Sequence, residues 1–281
     1  MKIFIANDSR QQQGGGWSWL SGFKKGMGEL ITTDYNEATH VLIPSASMVK
    51  PEVAEKARQD GKKVILRTDN ALKHSRNQGK GMARMKRIAD VSDLIIYQCQ
   101  WAKDYLSDYL GNENWNVIYN GIDLDIFTSD GSKTDFGTSP VYLYSSATKN
   151  ETKRWEWAWW DYQNRQKENP DAMLVIAGRV STPVMENGFD FFQGERYNYV
   201  GMMTTAEDMA RIYRGCDYFY AVAENDCYSN SILEASMCGL ELIEVNMTGG
   251  TPELLENISK GREYNGIKRM CAEYTEIMEG L

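Results

Sequence analysis

Short apolar segments alternate with longer amphipathic stretches along the first half of the chain. The apolar segments predict β-strands at residues 2–6, 40–43, 63–67, 93–98 and 116–119. The stretches between them repeat apolar positions at helical spacing and predict helices at residues 17–30, 51–60, 82–89 and 102–110. Strands that alternate with helices are typical of βαβ units, so we expect a parallel sheet in this half.

A polar stretch at residues 128–140 interrupts this pattern, and its turn-forming residues predict a linker. After it, strands are predicted at 141–144, 172–177, 198–200, 218–221 and 240–245, and helices at 153–166, 205–214 and 229–238 with a short one from Pro252. The predicted fold class is α/β, with two doubly wound Rossmann-like domains facing a cleft, at residues 1–130 and 131–260. Residues 261–281 predict an amphipathic C-terminal helix, and packing against the first domain is one arrangement open to it.

Three features of the sequence favour a protein of the cytoplasm. The sequence has no apolar run of the ~18 residues that a membrane-spanning helix needs. The apolar start is too short for the core of a signal peptide. The five cysteines form no C-x-x-C pair, which favours reduced thiols.

Charge is unevenly distributed in this chain of net charge −8. The segment from Lys56 to Arg87 contains eleven Lys or Arg residues and two Asp residues. Two interpretations stay open: a solvated helix face, or a surface for an anionic acceptor.

Glycines follow the first predicted strand, at Gly14, Gly15 and Gly16, and a predicted helix begins after them. Glycines allow close approach of a ligand, and the first amides of a helix can bind phosphate oxygens. The spacing matches neither G-x-G-x-x-G nor the P-loop pattern, so neither a dinucleotide oxidoreductase nor a P-loop enzyme is supported.

A stronger constellation lies between residues 223 and 254. Asp226 is predicted in the loop after a strand, and Glu234 within the helix that follows. The first amides of that helix, at Ser229, Asn230 and Ser231, are suited to bind an anion. Together these groups can hold the phosphates, ribose and sugar of a nucleoside diphosphate sugar.

This stretch resembles the signature of retaining glycosyltransferases with the GT-B fold, in particular the large family four. The matching positions are Asp226, Glu234-Ala235, Cys238-Gly239, Gly249-Gly250 and Pro252-Glu253. Further similar segments are YNGIDLDIF (119–127), YVGMM (199–203) and LRTDN (66–70). The resemblance runs in patches from residue 3 to residue 253. Family members usually have Glu where this chain has Asp226, and Glu224 lies two residues too early for that spacing.

The resemblance implies transfer of a sugar with retention, without a metal or other cofactor. Lys153 matches the family Lys that holds the leaving diphosphate, but Ala147 stands where the family has Arg, so Lys149 or Arg154 is expected to replace it. The expected catalytic residues are Lys153, Asp226 and Asp69. Donor binding is assigned to Gly14, Gly15, Gly16, Lys149, Arg154, Met202, Tyr228, Ser229, Asn230, Ser231 and Glu234, and acceptor binding to Arg67, His74, Arg76 and Lys80.

Several alternatives stay open. The acceptor is either a phosphorylated lipid or glycan, or a hydroxymethylated base in phage DNA. In the second case the chain would be phage-encoded and would act in the host cytoplasm. The chain could instead be a non-catalytic protein that binds sugar nucleotides or nucleic acid, or a sugar-nucleotide epimerase, which the near absence of His disfavours. Asp123-Leu124-Asp125 is interpreted as a solvated pair of acids rather than a metal site. Trp155, Trp159 and Tyr162 are predicted to pack in a core.

Overall fold

A computed structural model describes residues 1–6, 15–71, 79–148, 150–180 and 196–281, with the backbone alone for 15–17. The chain forms two compact units. Unit 1 comprises Met1–Ile122, Asp226–Asn230 and Gly249–Leu281, and unit 2 comprises Asp123–Asn225 and Ser231–Thr248. The predicted domain boundaries lay at 130 and 260, whereas unit 1 contains two later segments of the chain.

The strands are short and lie close to their predicted positions. In chain order they are β1 (Ile3–Ile5), β2 (Ile31–Thr32), β3 (His40–Ile43), β4 (Lys63–Thr68), β5 (Leu94–Tyr97), β6 (Trp115–Val117), β7 (Val141–Ser145), β8 (Met173–Ala177), β9 (Tyr197–Gly201), β10 (Tyr218–Tyr220) and β11 (Glu241–Ile243). The sequence pattern missed β2, because two residues are too few to show an alternation.

The α-helices of the described ranges also follow the predicted order. They are α1 (Gly15–Met27), α2 (Pro51–Gln59), α3 (Lys80–Ala89), α4 (Gln100–Leu110), α5 (Trp155–Glu168), α6 (Ala206–Arg214), α7 (Asn230–Met237), α8 (Thr251–Ser259) and α9 (Ile267–Glu279). No helix in these ranges is both long and apolar enough to cross a membrane.

Each unit contains one parallel sheet. The strand order is β2-β1-β3-β4-β5-β6 in unit 1 and β11-β10-β7-β8-β9 in unit 2. In both orders later strands lie on each side of the first strand of the sheet, β2 and β3 beside β1 and β10 and β8 beside β7, so each sheet extends in opposite directions from it. This is the doubly wound Rossmann-like arrangement. The predicted α/β fold class is confirmed.

Apolar side chains cover both faces of the sheet in unit 1. Neighbouring positions of β4 alternate, with Val64 in one core cluster and Ile65 in the other. The second cluster includes α9, whose Tyr274 ring lies 5.0 Å from the ring of Phe23 in α1, centroid to centroid. The Nε1 of Trp19 donates to the sulfur of Met270 at 3.2 Å. The last helix therefore belongs to the core of unit 1.

The core of unit 2 is rich in aromatic rings. Trp155, Trp159 and Tyr162 of α5 are buried in it, as their helical spacing predicted. Trp157 and Trp160 lie on the opposite side of the same helix and are 50% and 69% exposed. The sequence pattern thus separates the packing tryptophans from the surface ones.

Candidate functional site

The switch point of the sheet in unit 2 lies between β7 and β10, since the strand order reverses there. Ligands of open α/β sheets bind outside the carboxyl ends of the strands at such a point. The chain segments that follow these two strands are in direct contact, because the amide of Glu224 donates to the carbonyl of Thr152 at 2.7 Å. The carboxyl ends of β7 and β10 are therefore the candidate donor site of unit 2.

An ion pair joins the same two segments. The guanidinium of Arg154 donates to the carboxylate of Glu224, and the two side chains are 29% and 25% exposed. Arg154 follows a 3₁₀ turn at Glu151–Lys153 and has a φ of 48°, in the left-handed region that few residues other than glycine adopt. The predicted helix from 153 therefore begins two residues later, at Trp155. Sequence reasoning selected Arg154 but not its partner Glu224.

The segment after β8 packs closely on the segment after β7. A side chain at Gly178 would place its Cβ 2.4 Å from the carbonyl oxygen of Ser146, and Gly178 has a φ of 131°, so only glycine fits there. The hydroxyl of Tyr199 donates to the carbonyl of Gly178 at 3.1 Å. Met202 follows β9 and is half-buried. The role of Met202 in donor binding stays a prediction.

Glu234 is buried in α7, with 6% of its surface exposed. Its carboxylate accepts a hydrogen bond of 3.2 Å from the hydroxyl of Tyr213. Burial first, and then the charge of Glu234, raise the pKa of Tyr213 well above its usual value, so this hydroxyl stays a donor. Tyr213 is thus a partner of the predicted donor-binding residue Glu234, and the motif alone did not indicate this partner.

The start of α7 is fixed within unit 1 by Asn120. The side-chain amide of Asn120 donates to the carbonyl of Tyr228 at 3.3 Å and to the side-chain oxygen of Asn230 at 2.9 Å. It also donates to Gln98 at 2.6 Å. Ser229 lies between the two contacted residues and is buried. Three residues predicted to bind the donor are therefore held at the carboxyl ends of β5 and β6.

Arg67 belongs to the same buried network. It is 2% exposed and donates to the side-chain oxygen of Asn120 at 3.0 Å and to the carbonyl of Pro44 at 3.2 Å. Its guanidinium lies 3.9 Å from the centroid of a Trp19 ring. Burial lowers the pKa of Arg67 from its usual value. These contacts place Arg67 in the interior of unit 1, and its predicted contact with an acceptor stays a prediction.

The Gly-Gly turn and Pro-Glu pair of the motif have structural partners. The amide of Gly250 donates to the carbonyl of Asp226 at 2.8 Å, and a Cβ at Gly250 would lie 1.7 Å from the carbonyl oxygen of Cys227. The carboxylate of Glu253 accepts from the amides of Gln100 and Trp101, each at 2.8 Å. Glu253 thus caps the start of α4, where unpaired amides need acceptors.

Ion pairs offset much of the charge of the basic segment. Five of its residues pair with carboxylates, in the pairs Lys56–Asp60, Arg58–Asp93, Lys63–Asp93, Lys86–Asp90 and Arg87 with Glu52 and Glu55. Such pairs favour the solvated-surface interpretation for this part of the segment. Lys80, at the start of α3, is exposed, and Asp69 directly follows β4 and is half-buried.

Four predicted site residues, Gly14, His74, Arg76 and Lys149, lie outside the described residues. Gly15 and Gly16 form the start of α1, two residues before the predicted helix. Lys153 ends the 3₁₀ turn, and its carbonyl accepts from the hydroxyl of Tyr144 at 3.2 Å. Ser231 continues α7 in unit 2.

Asp123 and Asp125 lie in a local turn. The side chain of Asp123 accepts from the amide of Asp125 at 3.1 Å, and its carbonyl accepts from the amides of Ile126 and Phe127. Among the residues that the structure describes, no three His, Cys, Asp or Glu side chains are grouped so that they could hold a metal ion.

Comparison with solved structures shows which known proteins share this architecture. HepE of Anabaena, in complex with UDP and glucose, aligns over 100% of both chains with a TM-score of 0.77 and 13% identity. The chain has the GT-B fold. The GT-B sucrose-phosphate synthase from Thermosynechococcus elongatus covers 100% of this chain and 95% of its own, with a TM-score of 0.62 and 11% identity. TarM of S. aureus covers 85% of this chain and 55% of its own, with a TM-score of 0.62 and 12% identity.

Sequence comparison finds no such likeness for this GT-B chain. No protein-family model matches it, and no curated protein sequence does. The chain thus shares the backbone fold of these proteins at 11–13% sequence identity.

Proposed function

We propose that the chain is a glycosyltransferase that moves a sugar from a nucleoside diphosphate donor to an acceptor hydroxyl. Support comes from the full-length likeness to a protein whose crystal structures contain UDP and UDP-glucose, which also favours uridine as the base. The observation that carries the proposal is local. The switch point of unit 2 brings a cation, Arg154, and a carboxylate, Glu224, to the edge where a nucleotide would bind.

The proposed roles follow the charges that develop in the reaction. Departure of a diphosphate develops negative charge, which Lys153, Arg154 and the amides at the start of α7 would stabilise. Glu234 would accept from the ribose hydroxyls, and Asp226 from the sugar. Asp69 would contact the acceptor. In the proposed mechanism the leaving phosphate, rather than an enzyme carboxylate, takes the proton of the incoming hydroxyl. The hydroxyl then attacks from the face that the phosphate leaves, so the anomeric configuration is retained.

Donor binding is the first test. A thermal-shift screen of UDP, UDP-glucose and other nucleoside diphosphate sugars should show a raised melting temperature with at least one of them, because a ligand of the folded state stabilises it by mass action. Glu234→Gln should weaken that binding about tenfold, the effect of one charge-assisted hydrogen bond. Glu241→Gln, an exposed position in the same unit, is the matched control. Equal affinity in both variants contradicts the role of Glu234.

The reaction itself is tested by donor hydrolysis and product analysis. Release of UDP from UDP-glucose in the presence of EDTA supports a metal-independent transferase, whereas binding without release supports a non-catalytic sugar-nucleotide protein. Conversion of the donor into a second sugar nucleotide supports an epimerase. The anomeric configuration of the product, measured by NMR, decides between retention and inversion.

The acceptor is proposed to be anionic because the segment from Lys56 to Arg87 contains eleven basic residues, of which the ion pairs described above engage five. The exposed Lys80 is among the other six. A phosphorylated glycan, a lipid phosphate, duplex DNA with hydroxymethylated bases and a neutral glycan should be compared as acceptors. Binding of DNA should weaken steeply with salt, since phosphate contacts release counterions. Transfer to the neutral glycan alone would contradict an anionic acceptor.

A further inference from the structure

The pair Arg154–Glu224 occupies the place where the proposed donor needs a cation. Ala147 stands where the resemblance to the GT-B family implies an arginine, so another cation would have to hold the leaving diphosphate. Arg154 follows the same strand, β7, but its guanidinium is engaged by Glu224. A second carboxylate, that of Glu156, lies 3.8 Å from another of its nitrogens. The guanidinium of Arg154 is thus a cation at the proposed site that is already paired with a carboxylate.

The contacts of Arg154 leave its guanidinium incompletely satisfied. Its Nε is buried and has no hydrogen-bond partner among the described residues. A buried donor without a partner destabilises the folded state. The guanidinium carbon of Arg154 also lies 5.0 Å from the centroid of a Trp157 ring. A diphosphate offers several acceptor oxygens, so it can satisfy more of the guanidinium than one carboxylate does.

The backbone on both sides of the pair is strained. Arg154 has a φ of 48°, and Asn225, which follows Glu224, has a φ of 52°. This backbone conformation is disfavoured for residues other than glycine and persists only where surrounding contacts enforce it. The bond from the Glu224 amide to Thr152, and that from the Asn225 amide to the hydroxyl of Thr248 at 2.9 Å, are such contacts. These bonds fix the backbone of both segments, whereas the side chains of Arg154 and Glu224 stay partly exposed.

We propose that Glu224 is a competitor for the donor, holding Arg154 until the diphosphate replaces it as the partner of the guanidinium. This inference rests on the proposed function and assigns a role to a residue that the motif does not include. Donor affinity is then set by a difference between two ion pairs, because the ligand must displace the first to form the second. No covalent step is involved, and Glu224 is released to solvent or to a hydroxyl of the donor.

Binding of UDP, measured by calorimetry, tests the exchange. Glu224→Gln should tighten UDP about two- to fivefold, the strength of a partly exposed ion pair. Arg154→Met should weaken UDP about tenfold or more, the loss of a charge-assisted hydrogen bond. In the double variant, Glu224→Gln should have no further effect, since the cation for which it competes is gone. Glu241→Gln is the control for the removal of one negative charge from unit 2.

The outcomes separate this inference from the proposed function. If the unsubstituted protein binds no nucleotide, the proposed function fails and the exchange fails with it. If it binds UDP but Glu224→Gln weakens or does not change the affinity, the pair only holds the two segments together and the exchange alone is overturned. Equal tightening with and without Arg154 would show general charge repulsion and would also overturn it. Glu224→Asp, which keeps the charge on a shorter side chain, should tighten UDP less than Glu224→Gln does, and melting temperatures verify that each variant is folded.

Discussion

Arg67 in unit 1 and Arg154 in unit 2 both lie near the carboxyl end of a parallel sheet, yet their surroundings differ. Arg67 is 2% exposed and bonded to Asn120 and to a backbone carbonyl, without a carboxylate among these partners. Arg154 is 29% exposed and bonded to Glu224. A buried charge is costly to move, whereas a partly exposed pair can exchange partners. The contacts at the carboxyl end of the sheet in unit 1 are therefore fixed. Those at the carboxyl end of the sheet in unit 2 are suited to change when a ligand binds.

Gly250→Ala should cause the largest loss of stability among the variants considered, because it disrupts close packing in unit 1. The new Cβ would lie 1.7 Å from the carbonyl oxygen of Cys227 and 2.7 Å from the sulfur of Cys99, and a backbone atom cannot move aside easily. We expect a loss of about 4 kcal/mol or more in the free energy of unfolding, measured with urea. Gly280→Ala is the matched control, because its Cβ would meet nothing closer than 3.5 Å. A stable Gly250→Ala protein would contradict this close packing.

Arg67→Met should cost about 3 kcal/mol, because it leaves the side-chain oxygen of Asn120 and the carbonyl of Pro44 buried without their donor. Thermal unfolding is the measurement, with an expected fall of roughly 6–12 °C. Arg87→Met, at an exposed arginine of the same unit, should cost less than about 1 kcal/mol. Equal losses in the two variants would remove the distinction between fixed and surface arginines.

Arg154→Met should cost no more than about 1 kcal/mol, although it removes an ion pair, because the pair is partly exposed. Its stability should therefore stay close to that of the unsubstituted protein while its UDP affinity falls. This combination sharpens the contrast with Arg67. A loss of stability as large as that of Arg67→Met would mean that the arginine contacts are fixed in both units.

The smallest expected effect is a pH dependence in unit 1. Burial lowers the pKa of His40 from its usual 6.5, and its Nε2 lies 3.0 Å from the carbonyl oxygen of Met278. The folded state thus favours the neutral form of His40. The stabilising contribution of neutral His40 is present above pH 6.5 and is lost as the pH falls through the pKa that His40 has in the folded protein, which is lower than 6.5. His40→Gln should flatten that part of the stability profile in urea titrations. An unchanged profile would show that His40 does not contribute to it.

The sequence predicted the order of elements and the buried face of α5, because hydrophobic spacing reports local structure directly. It also placed α7 within one residue at each end. It could not predict that Glu224 meets Arg154, 70 residues away along the chain, or that Asn120 binds the start of α7, 110 residues away. Such partners depend on which strand ends are neighbours, and strand order is not encoded in any local pattern. The motif likewise marked Glu253 without showing that it caps α4.

Unit 1 is assembled from distant parts of the chain, since its core includes α9. During synthesis, the first 122 residues emerge with one face of their sheet still lacking this helix. Unit 2 is complete once residue 248 has left the ribosome, so it can finish folding first. Truncation of the chain before Ile267 should therefore expose apolar surface around Phe23 and lead to aggregation, even though every strand of both sheets would still be present.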